Sequence, residues 1–100
     1  MDKVEYLRTS QSFVDILEVY ESLLSHESRE QARHYLDSAE LEMTCESFIL
    51  AIMEEDVIVA PSDRQKLLSL CLILRLDHDS VFRSDFWEIA HPYLERSGID

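Results

Sequence analysis

Glycine and proline are almost missing from this chain, and their scarcity constrains the fold more than any other feature of the sequence. One glycine and two prolines occur among 100 residues. Tight β-hairpin turns draw on glycine, asparagine and proline, whereas helices can be joined by short polar segments without them. The sequence therefore predicts an all-α fold, a single compact bundle of about five helices. The length suits one domain, to which we assign residues 1–100.

An apolar stripe marks the first predicted helix. Its members have the spacing of one helical face and are Phe13, Ile16, Leu17, Tyr20, Leu23 and Leu24. Ser10 or Ser12 is expected to cap the start of this helix. The opposite side is acidic and is expected to face solvent. It carries Asp15, Glu18 and Glu21.

Two further helices are predicted in the middle of the chain. Ser28 and Gln31 have capping-box spacing, so the second helix is expected to begin at Ser28 and to end near Asp37. Ser38 is expected to cap the third helix, which should stop near residues 55–56 because acidic residues at a helix C-terminus oppose the macrodipole. The apolar stripe of the third helix consists of Leu41, Cys45, Phe48, Ile49 and Ile52.

The last part of the chain is predicted to contain an extended connector and two helices. Residues 57–60 precede Pro61 and are expected to be extended, with their apolar side chains docked on the bundle. The fourth helix should begin at Pro61, with Ser62 and Gln65 as a capping box, and its many leucines predict burial on two sides. The final helix is predicted from the spacing of Phe82, Phe86, Ile89, Ala90 and Tyr93.

Charge is the feature of the composition that bears most on function. The chain has 21 acidic residues and nine lysines and arginines, which gives a net charge of −12 at pH 7. Nucleic acid phosphates and anionic membranes would repel such a chain, so neither is an expected partner, and a basic protein is favoured. No cation separates Arg33 from Arg64, a stretch that holds eight acids. That stretch is either a solvated face that maintains solubility or a docking face for a cationic protein, and charge alone favours neither.

The sequence contains no pattern of catalytic or metal-binding residues. Its four histidines show neither an HExxH motif nor zinc-ligand spacing, and no serine lies in a GxSxG motif. Cys45 and Cys71 each lie within an apolar helical stripe, where a reduced thiol serves as a small hydrophobic side chain. We therefore expect no enzymatic activity, no cofactor and no metal ion.

The sequence also predicts where the protein resides. Its N-terminus lacks the apolar run of a signal peptide. Its longest apolar stretches fall far short of the roughly 20 residues that a membrane-spanning helix needs. A cytoplasmic protein without membrane attachment is expected.

The third and fourth predicted helices resemble those of a known family. Residues 38–56 read SAELEMTCESFILAIMEED, and they are followed by VIV at 57–59, LLSL at 67–70 and LD at 76–77. This pattern resembles small bacterial immunity proteins of contact-dependent and related polymorphic toxin systems, in particular the MafI-like group. That group often carries a glycine before the acidic helix, where this chain has Ser38 and Ala39.

The resemblance implies a cytoplasmic inhibitor that binds the toxic C-terminal domain of a cognate bacterial effector. Many such toxins are nucleases with basic substrate channels, so an acidic helical face could occupy the channel by charge complementarity. The alternative interpretation of the same acidic surface is a helical adaptor or regulator that binds a basic protein. An immunity gene should lie directly downstream of a large effector gene, whereas an adaptor gene should lie among those of its pathway.

Electrostatics indicates which residues would contact the partner, because the resemblance transfers no contact residues. The first predicted binding face lies on the third helix and at its end. It consists of Glu42, Glu46, Glu54, Glu55 and Asp56. The second lies on the first helix and consists of Asp15, Glu18 and Glu21. A solvated surface without a partner remains the alternative for each face.

Overall fold

The computed structural model describes residues 1–95 and contains five α-helices and one short 3₁₀ turn. The helices are α1 (Lys3–Tyr20), α2 (His26–Asp37), α3 (Leu41–Glu54), α4 (Pro61–Ile73) and α5 (Phe86–Glu95), and the 3₁₀ turn is Glu21–Leu23. No strand occurs in the described part of the chain. The predicted all-α fold of about five helices is confirmed. None of the helices within residues 1–95 is long and apolar enough to cross a bilayer.

The third helix lies at the centre of the bundle. α3 contacts each of the other four helices, and its predicted apolar stripe is fully buried. Phe48 packs edge-on against Phe13 of α1, with ring centroids 5.3 Å apart. Cys45 and Cys71 are buried free thiols, as predicted. A hydrogen bond with Cys71, together with burial, raises the pKa of the Cys45 thiol well above its ordinary value, which disfavours the reactive thiolate.

The first helix begins eight to ten residues earlier than predicted from a cap at Ser10 or Ser12. Asp2 caps it by accepting a hydrogen bond from the Glu5 amide at 2.8 Å. Its first turns lack a regular apolar stripe, since Val4 and Leu7 are exposed, so the periodicity gave no signal there. The 3₁₀ turn after Tyr20 then exposes Leu23, which was predicted to lie on the buried face.

The predicted caps of the next three helices are also wrong, although the helices exist. α2 begins at His26 with Ser25 as its cap, because the Ser25 hydroxyl accepts from the Ser28 amide. α3 follows Glu40, and Ser38 instead ends α2. α4 begins at Pro61 as predicted, but without a side-chain cap, so Ser62 does not form the expected capping box.

Three helices end in a left-handed residue other than glycine. Ala39, Asp56 and Arg75 have φ between 54° and 61° and follow the last residues of α2, α3 and α4. At the end of α3, the Val57 amide bonds to the Ile52 carbonyl and the Asp56 amide to the Met53 carbonyl, which is the Schellman pattern. α2 and α3 therefore stop where the sequence predicted.

The connector and the last two helices agree with the sequence in part. Residues 57–60 are irregular and extended, with Val57 and Val59 buried and Ile58 89% exposed. The hydroxyl of Tyr20 accepts from the Ala60 amide at 2.9 Å and donates to Asp63 at 2.7 Å, which joins α1 to the start of α4. α4 is buried on one side only, because Leu72 and Ile73 are about half-exposed. Phe82 lies before α5 rather than within it.

Candidate protein-binding surface

Glu46 lies in the interior, contrary to its prediction as a partner-binding residue. Its side chain has no solvent exposure. The carboxylate accepts backbone hydrogen bonds from Val81 at 2.6 Å, from Phe82 at 2.8 Å and from Arg83 at 3.1 Å. Three consecutive amides of the α4–α5 connection therefore converge on one side chain of α3. Glu46 anchors this connection, and a partner cannot reach it without displacing the connection.

The same contacts explain why the final helix begins later than predicted. The amides of residues 81–83 donate to Glu46 instead of entering a helical hydrogen-bond ladder. Phe82 then packs its ring against Tyr35 of α2 at a centroid distance of 5.5 Å. The connection thus contacts both α2 and α3 before α5 starts.

Glu55, a second predicted binding residue, ties the end of α3 to the start of α2. Its carboxylate accepts from the Ser25 amide at 2.6 Å and from the hydroxyls of Ser25 and Ser28. Hydrogen bonds from Ser28 and Ser25 hold the pKa of Glu55 below its ordinary value. A carboxylate at this position also compensates the positive end of the α2 dipole. Glu55 is therefore a structural residue at a partly buried position.

Glu21 is engaged as well. It lies in the 3₁₀ turn rather than on the first helix, and it forms a two-pronged ion pair with Arg33 of α2 at 2.8 and 2.9 Å. The hydrogen bonds from Arg33 lower the pKa of the Glu21 carboxyl. Arg33 already compensates the charge of Glu21, so Glu21 would attract a basic partner less strongly than the sequence predicted.

The other five predicted binding residues are exposed. They are Asp15, Glu18, Glu42, Glu54 and Asp56. None of them forms an ion pair within residues 1–95. Asp15 accepts a hydrogen bond from Gln11 one turn earlier. The structure therefore keeps five of the eight predicted acids at the surface and assigns internal partners to Glu21, Glu46 and Glu55.

Apolar side chains accompany the exposed acids near the end of α3. Leu50, Met53 and Glu54 line an open depression of about 530 Å³ with Arg83 and Ile89 from across the groove. Ile89 is 37% exposed, and Leu50 and Met53 are half-buried. We name these five residues the α3 surface.

A second depression lies on the other side of Met53. It measures about 350 Å³ and is lined by Met53, Asp56, Ile58, Arg64 and Tyr93, with three buried apolar residues beneath. We name it the Arg64 pocket. Sequence reasoning missed both Ile58 and Arg64. The alternating VIV segment, with Ile58 pointing outward between two buried valines, was the signal that could have found Ile58.

Interfaces commonly combine an apolar centre with a charged rim, and the α3 surface has both kinds of residue. No group of three or more histidine, cysteine or acidic side chains within residues 1–95 could hold a metal ion. Comparison with models of protein families, with curated proteins and with solved structures found no match.

Proposed function

We propose that this chain is an immunity protein that neutralises the toxic C-terminal domain of a cognate bacterial effector. In this proposal the toxin domain is basic, a nuclease being the favoured class, and the inhibitor acts in the cytoplasm. The resemblance of residues 38–78 to immunity proteins supports the kind of partner. The α3 surface supports the mode of binding.

The observation that carries the proposal is an exposed acid, Glu54, that forms no ion pair within residues 1–95 and shares one depression with half-buried apolar side chains of α3 and the partly exposed Ile89 of α5. Glu54 lies in the depression with Leu50, Met53 and Ile89, while Glu42 is exposed three turns earlier on the same helix. Apolar contacts would supply most of the affinity, and unpaired carboxylates would steer a basic partner and exclude acidic ones. A net charge of −12 extends this steering beyond the contact area.

Co-expression with the product of the gene immediately upstream tests the immunity proposal. The expected result is a complex that survives purification, together with rescue of growth in cells that express the toxin domain. Absence of both would overturn immunity. A basic pathway protein recovered in its place would favour the adaptor alternative.

A matched pair of charge reversals tests the surface. E42K/E54K and D15K/E18K each change the net charge from −12 to −8. They therefore weaken the overall field equally but alter different helices. We expect E42K/E54K to slow association by about tenfold or more at low salt, and D15K/E18K to slow it less. Equal slowing would show that only the overall electrostatic field of the protein matters. A larger effect of D15K/E18K would show that the binding face lies on α1.

A further inference from the structure

Arg64 is buried and has no acidic partner. It lies in the second turn of α4 and is 8% exposed. It forms no ion pair with any residue from 1 to 95, and its Nε atom has no hydrogen-bond partner there. Its guanidinium carbon lies 5.5 Å from the centre of the Tyr93 ring. A cation–π contact of this kind compensates only part of the cost of burying a charge.

Arg64 is the only buried arginine among residues 1–95, and Arg8 and Arg29, which also form no ion pair there, are more exposed. Arg33, Arg75 and Arg83 all pair with carboxylates, although each of them is more exposed than Arg64. Buried charges in proteins are normally paired, so Arg64 lacks an acceptor that most buried guanidinium groups have, and a carboxylate from a partner would supply it.

The Arg64 pocket is built to take such a counter-ion. Its cavity of about 350 Å³ has apolar walls from Met53 and Ile58, and the Tyr93 ring lines it beside Arg64. Asp63 in the first turn of α4 compensates the positive end of that helix dipole, so the positive charge in the pocket is that of Arg64.

We propose that the Arg64 pocket binds a carboxylate group of a polypeptide partner. The planar guanidinium would donate to both carboxylate oxygens, and the exposed Asp56 would accept a cation next to that carboxylate. A free anion would be repelled by the net charge of −12, whereas a carboxylate on a basic segment is attracted. The polypeptide nature of the ligand rests on the proposed function. The carboxylate chemistry rests on Arg64 alone.

Nuclear magnetic resonance of the arginine side chains gives a direct test. The Nε–Hε signal of Arg64, assigned by its loss in R64K, is followed during titration with two peptides, acetyl-KLELK-amide and acetyl-KLQLK-amide. The expected result is a shift of this signal with at least about tenfold tighter binding of the glutamate peptide. Acetyl-KLLKL with a free C-terminus distinguishes a terminal carboxylate from a side-chain one, according to which peptide binds more tightly.

Three outcomes would overturn the proposal: equal binding of the glutamate and glutamine peptides, no shift of the Arg64 signal, or the same shift with inorganic phosphate at equal concentration. R64K should remove the preference for the carboxylate peptide, with folding checked by circular dichroism. D56N provides a second variant, because asparagine tolerates the left-handed backbone at this position. We expect it to weaken binding of the glutamate peptide by about twofold to tenfold.

The two proposals can fail separately. A toxin complex that forms without any carboxylate preference at Arg64 would reject the pocket and leave immunity intact. A carboxylate preference without a toxin complex would reject immunity and leave the pocket intact. If both hold, R64K should weaken the toxin complex by about tenfold or more.

Discussion

Glu42 and Glu46 lie one helical turn apart on α3, yet their environments are opposite. Glu42 is exposed and forms no ion pair with any described residue. Glu46 is buried and accepts three backbone hydrogen bonds. The comparison teaches that acidic residues on one helix can serve two different purposes. One carboxylate holds the fold together, and the other is left for solvent or a partner.

The neighbours Glu54 and Glu55 repeat this difference at the end of α3. Glu54 lines the α3 surface, whereas Glu55 binds the amide and hydroxyl groups at the start of α2. Net charge therefore overstates the charge that a partner can contact. Variants that exchange or remove these side chains should separate the two classes by their effect on stability.

The largest effect is expected from reversing Glu46. E46K removes the acceptor for three amides and places a cation in the interior, so it should lower the free energy of unfolding by about 3 kcal/mol or more. E42K, one turn away at an exposed position, should change it by less than about 0.5 kcal/mol. Urea denaturation of both variants measures the difference.

E46Q serves as the control for shape. Glutamine keeps one oxygen acceptor but loses the charge, so its loss of stability should fall between those of E42K and E46K. If E46K were no less stable than E42K, Glu46 would not anchor residues 81–83 in solution.

The second effect concerns Tyr20, whose hydroxyl joins an internal acid to the backbone. Y20F removes the donor to Asp63 and the acceptor for the Ala60 amide, which should cost about 1 to 2 kcal/mol in thermal or urea unfolding. Burial, then the hydrogen bond to Asp63, raises the pKa of Tyr20 above 10.0. Its contribution is therefore fully present below pH 10 and is lost as the pH rises through the folded-state pKa. Y20F should lack this alkaline loss. The same alkaline loss in Y20F and in the parent chain would refute the assignment.

The third effect concerns Glu55 and acid stability. Its folded-state pKa is lowered from 4.5, so its contribution is present above pH 4.5 and is lost as the pH falls through the folded-state pKa. E55Q should lower stability at pH 7 by about 1 kcal/mol and should flatten the decline in acid. Unfolding measured from pH 7 to pH 3 tests both points. E54Q is the control, and an equal flattening in E54Q would contradict the structural role of Glu55.

The sequence predicted features of the fold and of the candidate surface that depend on residues close together in the chain, and it failed where the interacting residues are far apart in the chain. Apolar periodicity placed the core of α3 correctly, because the pattern and the helix have the same period and α3 is buried by all its neighbours. Helix starts were less accurate. Ser28 has a good local capping pattern, but its hydroxyl is used by Glu55, 27 residues away.

The error at Glu46 has the same origin. The amides that it accepts lie 35 to 37 residues further along the chain, so no local pattern distinguishes it from Glu42. One sequence feature hinted at its burial: Glu46 directly follows Cys45, which belongs to the apolar stripe of the third helix. Arg64 was missed for the opposite reason. An arginine near a helix start is ordinary in a sequence, and only its burial without an ion pair to any described residue makes it notable.

The smallest effect on stability is expected from the paired charge reversals, one of which should have the largest effect on association. E42K/E54K and D15K/E18K replace exposed acids, so each should change the free energy of unfolding by less than about 0.5 kcal/mol per residue. Fewer acids repel one another in these variants, which can raise the free energy of unfolding at low salt. This gain in stability should vanish at 1 M salt, where the Debye length is about 3 Å. Thermal unfolding at both salt concentrations provides the measurement. A loss of stability above about 1 kcal/mol would indicate that these acids have internal partners, as Glu46 does. Carboxylates that the fold does not need are the ones that can be committed to a basic partner.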